Sequence, residues 1–260
     1  MALLRDRVAL VTGAGRGIGR AIALAFASEG AKVAISARTT AELEQVVAAI
    51  QSEGGMAVAF SADLSDRAAA GRLVAEVTKK LGPVEILVNN AGVGSSGDPR
   101  PVVEFNDAFW DLTLAVNLTA PYLLCKAVLP HMLASRNGRI ITVASIAGKI
   151  GTLHGAAYSA SKHGVLGLTR SLALEVAAQR ITVNAICPGP VHTLMNDRRI
   201  DYDARRLGVS FEQQAAAQTP LGRRLEPDEI APLAVYLASD ASAAVTGQAF
   251  NVCGGVLMAG

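Results

Sequence analysis

The 260-residue chain is long enough for one large α/β domain with a full core. Its 51% hydrophobic and 18% charged residues exclude a disordered chain, and a net charge of +2 with no long basic run argues against nucleic acid or an anionic membrane as the main partner. The stretch Met1-Ala-Leu-Leu-Arg-Asp-Arg turns charged before a signal-type apolar region forms, and no later apolar run reads as membrane-spanning, so a cytoplasmic protein acting on a small molecule is expected. Cys125, Cys187 and Cys253 form no Cys-x-x-Cys pair, and the four histidines lack metal-ligand spacing, so neither a disulfide framework nor a catalytic metal is expected.

Arg7 to Thr12 is a short apolar run that reads as a buried strand, and Gly17 to Glu29 has helical spacing and good helix formers. Between them, Thr12-Gly13-Ala14-Gly15-Arg16-Gly17-Ile18-Gly19 lets the backbone turn sharply and approach a diphosphate, whose charge the helix N-terminus favours. Ala31 to Ser36 then completes a βαβ unit. At the end of that second strand, where an acid would bond the ribose 2′-hydroxyl of NAD, stand Ala37 and Arg38. Arg38 and Arg16 suit a 2′-phosphate, so NADP is expected over NAD.

Thr39-Thr40-Ala41-Glu42 fits a capping box opening a helix to about Glu53, followed by a strand from Met56 to Ser61. Asp63-Leu64 lies just beyond, where the carboxylate either accepts from an adenine amino group or serves only the turn. Ser65 to Lys80 reads as a helix, and Glu85 to Asn89 as a buried strand entering the turn Asn90-Ala91-Gly92 at the ligand-binding edge of the sheet. Its asparagines serve either the turn or the ligand. In the segment beginning at Ala156, Tyr158 and Lys162 are four apart and share one helix face, and a cation beside a phenol favours phenolate.

Taken together, Thr12-Gly-x-x-x-Gly17-x-Gly19, Asp63, Asn89-Asn-Ala-Gly92, Asn117, Ser145, Tyr158-x-x-x-Lys162 and Pro188-Gly189 resemble the short-chain dehydrogenase/reductase family, in order and over nearly the whole chain. The resemblance implies a single-domain Rossmann fold, a doubly wound seven-stranded parallel sheet with helices on both faces, and nicotinamide-dependent interconversion of a ketone and a secondary alcohol. It implies that Ser145 and Tyr158 contact the substrate oxygen, that Lys162 binds the nicotinamide ribose, and that the Asn117 backbone holds a relay water. The loop Cys187 to Thr193 then holds the nicotinamide carboxamide through Val191 and Thr193.

Asn106 to about His131 has a helical pattern that Pro121 is expected to bend or interrupt, and Arg139 to Ser145 reads as the next strand. The helix from about Ala157 to Ala178 is apolar on more than one side, which suggests packing against a second subunit, and family members form tetramers through this helix and the Asn106 helix. The terminal Gly255 to Gly260 is expected to dock on a neighbouring subunit as well. Ile181 to Ile186 is another strand. Residues 193 to about 220 resemble a substrate lid, whose Arg198, Arg199, Arg205 and Arg206 either recognise an anionic carrier or form a solvated face with the interleaved aspartates. Pro227 opens a helix and Thr246 to Val252 forms the closing strand, which ends Cys253-Gly-Gly where many relatives have Asp-Gly-Gly, as some aromatic polyketide ketoreductases do. The expected substrate is a 3-oxoacyl thioester or related ketone; a cyclic or secondary alcohol of a catabolic dehydrogenase is the alternative, and a non-catalytic NADP sensor the remote one.

Overall fold

The structure, a computed structural model, describes residues 2–258. Seven apolar segments become parallel strands: β1 (Val8–Thr12), β2 (Lys32–Ala37), β3 (Met56–Ser61), β4 (Ile86–Asn89), β5 (Gly138–Val143), β6 (Ile181–Pro188) and β7 (Ala249–Val252). They lie in the order β3-β2-β1-β4-β5-β6-β7. The central strands β1, β4, β5 and β6 are buried along their whole length, which is why they read as unbroken apolar runs rather than alternating ones.

The helices between them are α1 (Gly17–Ser28), α2 (Thr40–Ser52), α3 (Ala69–Leu81), α4 (Asp107–Leu114), α5 (Ala120–Ser135), α6 (Ala156–Val176), α7 (Leu194–Leu207), α8 (Phe211–Ala216) and α9 (Ala231–Ala238). One core lies between the sheet and α1, α2 and α9, centred on Ile22, Phe26, Leu43 and Ile86. The other lies beneath α3, α5 and α6, centred on Leu10, Leu73, Leu124 and Leu172. Chain direction away from the first strand reverses between β1 and β4, so the strand ends open a crevice there.

Several expectations are corrected locally. No capping box forms at Thr39, because the Glu42 carboxylate pairs with Arg16 at 2.9 Å instead. Helix α3 begins at Ala69 rather than Ser65, since Asp63 and Asp66 take the amides of Ser65 and Ala68, each at 2.9 Å, into tight turns. The regular α-helix is interrupted by a π-helical turn over Ala115–Thr119, just ahead of Pro121, which sits in the first turn of α5. Residues Asp107–Ser135 thus form a helical run of 29 residues, close to the pattern read from Asn106 to about His131 but, against expectation, long and apolar enough to cross a membrane; it packs against α3 and β4. Strand β7 starts at Ala249, because Gly247 turns at φ 73° and the Thr246 hydroxyl accepts from the Val183 amide.

Candidate active site

The glycine turn holds its shape through contacts that leave no room for side chains. Gly13 and Gly17 have φ of 64° and 56°. A Cβ on Gly19 would stand 2.3 Å from Asn90 Nδ2 and 2.4 Å from the Gly13 carbonyl oxygen. Asn90 is what fastens the turn: its amide nitrogen donates to the carbonyls of Thr12 (2.8 Å) and Gly13 (3.1 Å). The Thr12 hydroxyl in turn accepts from the amides of Asn90 (3.0 Å) and Ala91 (3.1 Å), locking β1 to the end of β4.

A cavity of about 780 Å³ opens over this turn. Its wall brings together Gly13, Gly15, Arg16, Gly17, Ile18, Arg38, Asp63, Leu64, Asn90, Ala91 and Gly92. On the far side of the strand ends it includes Ser145, Tyr158, Lys162, Pro188, Gly189, Val191 and Thr193. Gly19 lies beneath the turn. Asp63 accepts from the Ser65 amide and hydroxyl at 2.9 and 2.8 Å, so its carboxylate shapes the turn while still facing the cavity. Gly189 packs so closely on Cys253 that a Cβ would approach its Cα to 2.7 Å. Cys253 is buried, with its sulfur accepting from the Leu257 amide at 3.4 Å, so it packs against the loop that follows.

Ser36 and Glu42 are among the members of this wall that escaped the sequence reading. Ser36, at the penultimate position of β2, is buried with a hydroxyl that has no partner, and Glu42 reaches the wall from the first turn of α2. A serine in an apolar strand carries no sequence signal for a ligand. Glu42 carried one for a cap.

At the other end, β5 brings Ser145 two residues past its last strand position, and the serine caps a short turn by accepting from the Ala147 amide at 3.1 Å. Helix α6 presents Tyr158 and Lys162 on one face. The Lys162 ammonium is buried, donates to the Val143 carbonyl at 2.9 Å, and lies 5.6 Å from the Tyr158 ring centre. Burial pulls its pKa down to about 8. Burial also pushes the Tyr158 phenol above its ordinary value, against a lowering hydrogen bond from Ser145. Burial thus works against the phenolate that a nearby cation favours.

Asn117 is buried inside the π-helical turn. Its side chain is fully engaged, accepting from the Val93 amide (2.7 Å) and donating to the Val93 carbonyl (2.9 Å) and the Ser161 hydroxyl (3.1 Å). Its main-chain carbonyl faces position 121, four residues on, where proline has no amide to give. A Cβ on Gly92 would lie 3.4 Å from Asn117 Oδ1 and 3.9 Å from Lys162 Nζ, so the asparagine and lysine flank the same glycine.

The segment read as a lid lines one side of the cavity from Thr193 to Arg199. Thr193 caps α7, accepting from the Asn196 amide at 3.3 Å, and Met195 packs over Gly94, with the Ser96 hydroxyl donating to its carbonyl. Of the lid arginines, Arg199 and Arg206 pair with Asp203, and Arg205 with Asp201, although Arg199 Nη1 is buried without a hydrogen bond. Arg198 faces the cavity with no ion-pair partner among the described residues. Among the described residues no cluster of three histidine, cysteine, aspartate or glutamate side chains is placed to hold a metal.

The family model for short chain dehydrogenase matches residues 7–203, and the chain belongs to that family. It is 44% identical over 254 residues to a protein assigned as ketoacyl reductase 1 of the granaticin polyketide synthase of Streptomyces violaceoruber, covering 96% of this chain and 92% of that one. To the 3-oxoacyl-[acyl-carrier-protein] reductase of Synechocystis it is 38% identical, over 99% and 100% of the two chains. The solved structure of a single-substitution variant of the actinorhodin polyketide ketoreductase with NADPH superimposes with a TM-score of 0.92 at 40% identity, over 98% of each chain. The protein is accordingly a ketone/alcohol oxidoreductase of the family that binds NAD(P).

Proposed function

We propose that the protein reduces a ketone, a 3-oxoacyl thioester or close relative, to a secondary alcohol with NADPH. The carrying observation is that Ser145, Tyr158 and Lys162 share the wall of the cavity that the glycine turn also lines, with Asn117 one residue layer behind. The turn from Gly13 to Gly19, Asn90 to Gly92, and the loop from Pro188 to Thr193 fit a dinucleotide, since a cradle that any Cβ would fill leaves main-chain amides open to phosphate. When bound, the nicotinamide supplies the hydride.

The chain's own groups manage the proton. Tyr158, neutral because burial raises its pKa, donates from Oη to the alkoxide oxygen while the Ser145 hydroxyl hydrogen-bonds the same oxygen. Lys162, held at its ammonium by Val143, orients the nicotinamide ribose and restores the tyrosine proton, with the Asn117 carbonyl holding the water that leads to solvent. In the 2′-phosphate reading Arg38 and Arg16 face the phosphate from the rim, and the lack of an acid at Ala37 supports it. The polyketide and acyl-carrier reductases among its relatives support the substrate class. A panel of 3-oxoacyl thioesters, cyclic ketones and the corresponding alcohols, assayed with NADPH, NADH and their oxidised forms, tests the reading; faster alcohol oxidation with NAD than ketone reduction with NADPH overturns it.

The same proposal includes a homotetramer built on α4–α5 and α6. Apolar side chains left exposed on these helices support it: Leu112, Tyr122, Leu133 and above all Leu174 at 86%. Of the terminal segment, Met258 is exposed, and Ala259 and Gly260 lie outside the described residues. Light scattering should give four times the chain mass and a lower mass for Leu174→Lys; a monomer overturns this part.

A further inference from the structure

The adenosine end of the cavity contains an ion pair whose acidic member the proposed chemistry leaves without a task. Arg16 Nη1 donates to Glu42 Oε1 at 2.9 Å, and both residues line the cavity rim. Gly15 is the floor between them. A Cβ there would stand 2.8 Å from Glu42 Oε2 and 3.6 Å from the Ala37 Cβ, so the carboxylate of α2 occupies space beside the strand end where NAD-binding chains carry their acid. Arg38, on the same wall, has no ion-pair partner among the described residues, so the two rim cations are not equivalent: one is available and one is held.

We infer that Glu42 sets the discrimination between the phosphorylated and unphosphorylated cofactor by competing with the 2′-phosphate for Arg16. The inference rests on the cofactor site proposed above. A phosphate presents more charge and a better-matched fork of oxygens to a guanidinium than one carboxylate does, so it draws Arg16 away. The displaced carboxylate stays on α2 beside Gly15 without its partner, a loss that weakens the binding of the phosphate it has yielded to. A 2′-hydroxyl does neither, and leaves the pair closed. Glu42 therefore restrains NADPH affinity selectively, and the preference for NADPH expressed by Arg38 is weaker than the pair of arginines alone would make it.

Dissociation constants for NADPH and NADH, read from the quenching of protein fluorescence, test this in the wild type, Glu42→Gln, Glu42→Ala, Arg16→Ala and the double variant Arg16→Ala/Glu42→Gln. Both Glu42 variants should bind NADPH roughly three- to tenfold more tightly, with NADH changed less than about twofold. In the Arg16→Ala background the gain from Glu42→Gln should shrink to less than half. Unchanged or weaker NADPH binding in both Glu42 variants, or an undiminished gain without Arg16, overturns the inference; weaker binding of both cofactors with a lower melting temperature would mean that Glu42 only fastens the glycine turn to α2. A wild type that binds NADH more tightly refutes the cofactor preference alone, because the sign of the Glu42 shift is read independently of it.

Discussion

The Lys162 ammonium reaches back to the main-chain carbonyl of Val143, the last residue of β5, at 2.9 Å. The strand that brings up Ser145 thus also tethers the lysine, and the tethered charge lies 5.6 Å from the Tyr158 ring centre. Both ionisable groups are consequently governed by burial, each pushed toward its neutral form.

For Tyr158→Phe the ring packing survives and only the proton donor is lost. Turnover in ketone reduction should fall by about 10²- to 10⁴-fold while the NADPH dissociation constant stays within about twofold. Near-normal turnover would remove Tyr158 from the proposed chemistry.

The phenol itself should titrate late. With its pKa raised by burial, Tyr158 remains protonated through neutrality, and the tyrosinate absorbance missing from Tyr158→Phe should develop above about pH 10 in the cofactor-free protein. Development of that absorbance near neutral pH would show that Lys162 dominates after all.

Lys162 links stability to pH with a definite sign. Its folded pKa, about 8, lies below the unfolded value of 10.5, so the burial cost is fully present below pH 8 and disappears as pH rises toward 10.5. Relative to Lys162→Met, the wild type should gain about 3 kcal/mol across that window. The variant carries a pH-independent loss of about 1–3 kcal/mol from the Val143 carbonyl left without its donor, so the slope of the difference, not its size at one pH, is the measurement.

Gly19→Ala should be damaging where Gly71→Ala is not. The new methyl would meet Asn90 and the Gly13 carbonyl, costing about 1–3 kcal/mol and opening the turn, with loss of cofactor binding. Gly71, in the exposed first turn of α3, has nothing within 4 Å, and alanine there should be neutral or stabilising by up to about 1 kcal/mol in chemical denaturation.

What the sequence made legible were features whose cause is local. Positive φ and close approach demand glycine at 13, 17 and 19, and a helical repeat of four places Tyr158 and Lys162 together, so the turn and the pair could be read directly. The misreadings concern groups with two possible partners. Glu42 had a cap three residues away and an arginine 26 residues away, and the distant one won; Asp66 could open a helix or close a turn, and it closed the turn. The charge on Tyr158 is less legible for a related reason, since side-chain spacing gives proximity but not the depth of burial, which works against the phenolate.

All three cysteines are free and buried: Cys125 on the inner face of α5, Cys187 at the end of β6 beside the lysine and tyrosine, and Cys253 against Gly189. None offers a reactive sulfur to a reagent in the closed chain, and burial pushes the Cys125 thiol up to about 12. The protein therefore carries its own internal clock of opening. The rate at which each thiol becomes modifiable reports how often its surroundings come apart, with Cys253 following release of the chain end and Cys125 awaiting disruption of the sheet's helical cover.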